Sequence, residues 1–400
     1  MQGYRVERKA GWDTHGLPVE IEVEKELGIE GKEQIIEYGI AKFNEKCKEN
    51  VFRYKAEWDE LTRRIAFWVD LDDPYITYSN EYIESVWWIL KEFWQKGLLY
   101  EGHKALPYCP RCETALSSHE VSLGYKDVPD PSIFVKMKLK EAPDTYFLIW
   151  TTTPWTLISN AALAVHPDET YVKIRLNGEK LILVKQRLSV IEGDYEIIEE
   201  IKGRKLENIE YDPLFSFIKP DKKAWYVILG DFVTTEEGTG IVHTAPAFGE
   251  DDYRMGQKYN LPFLQPVDKS GRFTEEITDF KQQFVKDADK DIIKNIKQRG
   301  LLYHAEICHH SYPFCWRCDS PLLYYAKESW FIRTTKLKEN LLANNKKIQW
   351  IPKEVGEGRF GEWLRNNVDW TLSRDRFWGT PLNIWKCTNC DFQLMIGSME

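Results

Sequence analysis

Six of the eight cysteines fall in Cys-x-x-Cys pairs: Cys109/Cys112, Cys315/Cys318 and Cys387/Cys390. Each such turn presents two thiolates from one tight loop, and two turns complete a tetrahedral four-sulfur metal site. The first two pairs therefore predict a structural Zn2+ held by Cys109, Cys112, Cys315 and Cys318 as thiolates, with metal binding contributing to folding. Free buried thiols are the alternative. Pro110 and Trp316 inside the loops, with no βαβ context, leave no redox motif. The third pair, Cys387 and Cys390, predicts half of a second zinc site. Its partners lie beyond Glu400 or do not exist, unless the run Cys308-His309-His310 lends ligands.

Three further segments carry polar chemistry. Thr151, Thr152 and Thr153 follow the apolar stretch Tyr146–Trp150, and Pro154 then turns the chain. His243 ends a short apolar strand after the turn Gly238-Thr239-Gly240, and Asp252 opens a helix predicted through Tyr259. Hydroxyls at a turn can position water, and an aspartate can hold an ammonium group. Taken singly, each has a plainer reading: threonines filling a strand, a satisfied strand histidine, a charge at a helix N-terminus, and, for Asp13, a turn or cap residue. No serine or cysteine nucleophile with a nearby base stands out, so any hydrolysis would use a positioned water without a covalent intermediate.

These groups need elements to hold them. Ile40, Phe43, Cys47, Val51, Tyr54, Trp58 and Leu61 recur at spacings of three and four, which predicts one helix with an apolar stripe. A second helix follows Ser79-Asn80, buries Ile83, Val86, Trp87, Leu90 and Trp94, and stops at Gly97. From about residue 130 the period is two: Ile133, Val135, Met137 and Leu139 alternate with polar neighbours. Asn177-Gly178 between Tyr171–Leu176 and Leu181–Val184 predicts a hairpin. The β-rich text runs to about residue 270. Helical pattern then returns with Ala288, Ile292, Ile293 and Ile296, ending at Gly300.

An internal echo suggests how these pieces join. Gly97-Leu98-Leu99-Tyr100 follows a helix and precedes the first cysteine pair; Gly300-Leu301-Leu302-Tyr303 follows a helix and precedes the second. The economical picture is an inserted β-rich domain whose entering and leaving chains meet at a zinc-closed base. The 400 residues are ordinary in bulk, 43% hydrophobic and 29% charged. A net charge of −9 gives no basic footprint, so any RNA must find local positive patches. Sixteen Trp, 20 Tyr and 19 Phe imply aromatic-rich cores. No apolar run approaches the roughly 18 residues of a membrane span, and no signal-peptide features follow Met1. The expectation is a cytoplasmic monomer with no membrane partner.

Several longer segments resemble isoleucyl-tRNA synthetases, in that family's order and through essentially the whole chain. Gly11-Trp12-Asp13-Thr14-His15-Gly16-Leu17-Pro18-Val19-Glu20 is similar to the block after its first catalytic signature. Residues 150–157 (WTTTPWTL), 238–243 (GTGIVH) and 245–252 (APAFGEDD) resemble its editing pocket. Residues 310–318 (HSYPFCWRC) are similarly diagnostic, and 373–381 (SRDRFWGTP) resemble the segment where its catalytic domain resumes. Ile158 and Asn383 stand where the family usually has proline. The related valyl and leucyl enzymes share the architecture, but Thr14-His15-Gly16 after Trp12-Asp13, with Arg376–Pro381, favours the isoleucyl group.

The resemblance implies an α/β fold: a split Rossmann-like class I catalytic domain interrupted by a β-rich editing domain, with zinc knuckles at the junction. The expected segments are 1–102 for the first catalytic part, 103–124 and 306–330 for the knuckles, 125–305 for editing, and 331–400 for the resumed catalytic part. It further implies an ATP- and Mg2+-dependent ligase that joins isoleucine to tRNA(Ile) through an adenylate, with Asp13 gripping the amino group of isoleucine. One methylene separates valine from isoleucine, worth only about 1–3 kcal/mol in an apolar pocket, a figure established for this family. Hydrolytic editing of misactivated valine or valyl-tRNA(Ile) is the family's remedy. By resemblance Asp252 anchors the valine amino group, while His243, Thr151, Thr152, Thr153 and Asn160 shape the hydrolytic pocket. The two ATP signatures are expected outside Met1–Glu400, so the chain alone is expected to edit but not to form adenylate.

Overall fold

The computed structural model describes residues 3, 5–53, 55–142 and 144–400. The chain divides into two compact units, residues 1–102 with 328–400, and residues 103–327. No helix among the described residues is long and apolar enough to cross a membrane.

The first unit is mixed α/β. A short strand, Lys9–Trp12, pairs in parallel with Asp70–Ile76. The helix Leu17–Leu27 starts after Gly16, with Pro18 in its first turn where no N–H is needed. The single helix expected over residues 40–61 is instead two, Ile40–Val51 and Lys55–Arg64. Phe52 leaves helical geometry, and the chain turns through bonds from Arg53 N to Asn50 O and Lys55 N to Phe52 O. Beyond that turn the stripe faces out: Trp58 and Leu61 are exposed, whereas Phe43 and Cys47 are fully buried. Tyr54 of that stripe lies outside the described residues. Helix Asn80–Gln95 is capped as expected, Ser79 accepting from Tyr82 N at 3.3 Å. Only Leu90 of its stripe is fully buried; Ile83, Val86, Trp87 and Trp94 are half-buried.

The second unit is β-rich. A six-stranded sheet runs in the order Glu196–Lys202, Thr170–Leu176, Glu179–Val184, Thr145–Thr151, Tyr125–Lys138, Leu302–Pro313. The Asn177-Gly178 turn has both residues at positive φ, the geometry that lets a two-residue hairpin follow the strand twist. The period-two residues Ile133, Val135 and Met137 are fully buried, in a core shared with Phe147, Ile149, Leu163, Val165 and Ile182. A three-stranded sheet has Ala162–Val165 at its centre, parallel to Tyr226–Leu229 and antiparallel to Ile241–Thr244. Helix Val285–Gln298 buries Val285, Ala288, Asp289, Ile292 and Ile296.

The repeated Gly-Leu-Leu-Tyr is a repeated local structure. Both glycines end a helix at positive φ, 64° at Gly97 and 70° at Gly300. The next leucine then bonds back into the helix, Leu98 N to Phe93 O and Leu301 N to Ile296 O. Strands Leu99–Cys109 and Leu302–Pro313 follow.

Candidate functional site

In the second unit the threonine turn and His243 come together through hydroxyls. Strand Thr145–Thr151 ends in a turn, and Pro154–Ser159 forms a short 3-10 helix buried along its whole length. Thr151 Oγ1 accepts from Thr153 N at 3.1 Å and lies 3.2 Å from Thr153 Oγ1. Thr153 Oγ1 lies 3.2 Å from Thr156 Oγ1, which is 2.9 Å from His243 Nε2. Thr152 is half-buried beside this chain of oxygens.

The direction of the bonds follows from proton count. Thr156 has one hydroxyl proton, and it is donated to Thr153 O at 2.8 Å. Toward His243 the same oxygen can then only accept, so the imidazole carries its proton on Nε2. Nδ1 is left as a buried acceptor with no partner among the described residues. Burial alone lowers the His243 pKa to about 4, so the ring is neutral at physiological pH. His243 is placed by its strand, opposite Leu163 in the register. The strand is entered through Gly240 at φ 69°, where a Cβ would stand 2.5 Å from Val184. Only glycine fits both demands.

Asp252 lies in the first turn of helix Glu250–Tyr259, which begins two residues earlier than the sequence pattern implies. Its Oδ2 accepts from Ala245 N at 3.1 Å. A Cβ at Gly249 would come within 2.8 Å of that oxygen, so the glycine makes room for the carboxylate. Burial pushes the Asp252 carboxyl up to about 7; the Ala245 N–H acts against the rise and Asp251 adds to it. No cation pairs with Asp252 among the described residues. A desolvated carboxylate without a counter-ion is what an incoming ammonium would relieve.

Asn160 is spent on the scaffold. Its Nδ2 donates to Ala162 O at 2.9 Å, its Oδ1 accepts from Tyr211 at 2.7 Å, and its carbonyl accepts from Trp225 Nε1 at 3.0 Å. It locks the exit of the 3-10 helix against two aromatic residues. Two groups next to the site escaped the sequence reading. Thr156 joins the threonines to His243, and the carboxylate of Asp289 accepts from Trp155 N at 2.8 Å. The available signal was an aspartate on the apolar stripe of helix Val285–Gln298.

The sulfur atoms of Cys109, Cys112, Cys315 and Cys318 lie within 4.8 Å of one another, and this is the cluster of three or more metal-ligating side chains found among the described residues. Cys318 Sγ is 3.4 Å from both Cys109 Sγ and Cys112 Sγ. Cys112 N donates to Cys109 Sγ, the bond that closes a knuckle turn. Arg317 within the second turn pairs with Glu120 at 2.7 Å. Cys387 and Cys390 are exposed, in the turn between strands Ile384–Lys386 and Gln393–Met395.

In the first unit Asp13 is exposed, at the end of strand Lys9–Trp12. Thr14 beside it is buried and bonded to Thr77 at 2.9 Å. The segment 376–378 is held against this turn by Glu20, which is fully buried. Its carboxylate accepts from Phe377 N at 2.9 Å, Trp378 N at 2.7 Å and the Arg376 guanidinium at 3.2 Å. Trp378 Nε1 in turn donates to Thr14 O, and its ring meets His15 edge-on. The two motifs, more than 350 positions apart, thus form one arrangement.

Comparison with known proteins supplies the family. A family model of tRNA synthetases class I (I, L, M and V) matches residues 1–399. The isoleucine–tRNA ligase of Clostridium acetobutylicum is 56% identical over 400 residues, covering 100% of this chain and 39% of that protein. That of Bacillus thuringiensis (strain Al Hakam) is 56% identical over 394 residues, covering 98% of this chain and 38% of the relative. The chain thus spans about two-fifths of the length of these curated relatives. The solved editing domain of the P. knowlesi cytosolic leucyl-tRNA synthetase is 13% identical with a TM-score of 0.33, over 47% of this chain and 99% of that one. From the match along its whole length, the chain belongs to the tRNA synthetases class I (I, L, M and V).

Proposed function

We propose that this chain is part of an isoleucine–tRNA ligase and that residues 103–327 hydrolyse tRNA esters of valine. The observation that carries the hydrolytic reading is the line of hydroxyls from Thr151 to a neutral, buried His243, with the uncompensated carboxylate of Asp252 in the same unit. In this reading the ammonium of a valyl ester pairs with Asp252. A water molecule attacks the ester carbonyl carbon, and the ribose oxygen leaves with a proton, giving free valine and tRNA. Neutral His243 holds the Thr156 hydroxyl through Nε2–H, and that hydroxyl in turn fixes Thr153 in the turn that meets the water. At a pKa of about 4 the ring is a weak base, so catalysis rests on positioning by the hydroxyls it holds. The threonine turn supplies hydroxyls toward the ribose and the developing oxyanion.

The parent activity we assign is ATP- and Mg2+-dependent joining of isoleucine to tRNA(Ile), in a Rossmann-like catalytic domain to which residues 1–102 and 331–400 contribute. Asp13 would hold the isoleucine ammonium, beside the turn that Glu20 and Trp378 fix. For the knuckles we assign Zn2+. Ligands at about 2.3 Å from a tetrahedral Zn2+ stand about 3.8 Å apart, and sulfurs separated by 3.4 Å to at most 4.8 Å fit that spacing. The ion would cross-link the chain segments on either side of the β-rich insert. Cys387 and Cys390 would supply half of a second site in the longer protein.

The test is hydrolysis of valyl-tRNA(Ile) by this chain, with Asp252→Ala alongside. Release of valine that the variant abolishes supports the assignment. Unchanged kinetics in Asp252→Ala would remove it, and a trapped acyl-enzyme would remove the water mechanism.

A further inference from the structure

Helix Val285–Gln298 turns an apolar face inward, built from Val285, Ala288, Ile292 and Ile296. Asp289 stands in that face and is 3% exposed. A carboxylate in such a place is retained when a specific donor needs it. Its bond is to Trp155 N, 134 positions earlier. Pro154 opens the 3-10 helix without an N–H, so Trp155 carries the first free donor of that turn. The next residue is Thr156, whose hydroxyl holds His243 Nε2. The Asp289 contact and the hydroxyl that sets the histidine thus belong to adjacent residues.

We infer that Asp289 is a positioning residue for the hydrolytic site, fixing the start of the 3-10 helix and through Thr156 the tautomer and orientation of His243. The inference rests on the hydrolytic reading given above for its functional consequence. Asp289 touches no reacting atom in this account. It acts by deciding where the peptide between Pro154 and Thr156 points. The surroundings agree with a load on that one bond. Burial raises the Asp289 carboxyl to about 7, opposed by the Trp155 N–H and by Lys286, and assisted by Asp130 and Asp287. Lys286 and His310 both already meet Asp130, at 2.8 and 3.1 Å, and Lys286 also lies over the Tyr312 ring. The cation that acts on Asp289 is thus paired with another carboxylate.

Two substitutions separate positioning from bulk stability. Asp289→Asn keeps an oxygen that can accept from Trp155 N, whereas Asp289→Leu keeps the branching at Cγ and removes the acceptor. The readouts are valyl-tRNA(Ile) hydrolysis by the whole chain and the ring nitrogen signals of His243 in 15N-histidine-labelled protein. We expect Asp289→Leu to lower kcat about tenfold or more with KM within about threefold, and Asp289→Asn to stay within about threefold of the parent in both. The His243 ring signals should move in the leucine variant and stay in place in the asparagine variant. If the leucine variant does not fold, Asp289→Ser, too short to reach Trp155 N, takes its role. Unmoved His243 signals in an acceptor-less variant, or an equal fall in kcat for Asn and Leu, would overturn the inference. A chain that hydrolyses nothing, yet whose His243 signals respond to Asp289→Leu and recover in Asp289→Asn, keeps Asp289 as a positioning residue and removes the hydrolytic reading instead.

Discussion

Replacing Asp252 by asparagine should make the second unit more stable and at the same time inactive. The carboxyl is raised from the ordinary value of 3.8 to about 7, chiefly by burial. A raised carboxyl contributes no penalty below the unfolded pKa, where both states are protonated. As pH rises from about 4 through about 7 the unfolded chain gives up its proton before the folded one, and stability falls. The difference of roughly three units corresponds to a ceiling on the order of 4 kcal/mol above pH 8. Asp252 is a half-buried residue, so water reaching the carboxylate lowers that ceiling. The amide oxygen of asparagine can still accept from Ala245 N, and it does not ionise. The variant should therefore match the parent near pH 4 and exceed it by about 2–4 kcal/mol at pH 8.5. Hydrogen exchange at Ile174 and Leu183, buried in the same unit, reports its opening free energy without involving residues 1–102. Valyl-tRNA hydrolysis measured in parallel should be lost. A stability difference that is flat between pH 4 and 8.5, or that favours aspartate at high pH, would refute the electrostatic reasoning.

Other perturbations follow from single contacts. Tyr211→Phe removes the donor to buried Asn160 Oδ1 and should cost about 1–3 kcal/mol in denaturant unfolding of the second unit, with the unpaired oxygen as the cause. Glu20→Ala takes the carboxylate away from the nearly buried Arg376 guanidinium and from two backbone N–H groups, an expected loss of about 3–5 kcal/mol in the first unit. Glu20→Gln keeps an acceptor oxygen and should lose less. Cys318→Ser should lower zinc content from about one per chain and make residues 103–124 more open to proteolysis; unchanged zinc content by elemental analysis would count against the four-sulfur site.

What could be read from the sequence was local geometry with strong chemical signals. Asn177-Gly178 admits one kind of turn, Ser79 suits a cap, and the two Gly-Leu-Leu-Tyr segments repeat a helix stop because glycine takes that φ without steric cost. The cysteine spacing pointed to a cluster because four thiols in two knuckles have few other uses. What stayed hidden depended on tertiary direction. Apolar spacing from Ile40 to Leu61 is continuous on paper, but nothing in it records the turn at Phe52 or which half of the stripe meets a core. Asp289 was passed over because a stripe is read by its apolar members, and its partner is a backbone N–H with no sequence signature. Asn160 sits beside the threonine turn, but only the fold shows both ends of its amide taken by Ala162 and Tyr211. The tautomer of His243 likewise depends on where the Thr156 hydroxyl donates, which only the fold shows.

The central claim is that residues 103–327 distinguish valine from isoleucine by hydrolysis. The most direct measurement is the kcat/KM of this chain on valyl-tRNA(Ile) and on isoleucyl-tRNA(Ile), made side by side. Valine should be released with the isoleucyl ester spared, and Asp252→Asn should lose valine release. Equal rates on both esters, or no hydrolysis of either by a chain with its zinc in place, would contradict it.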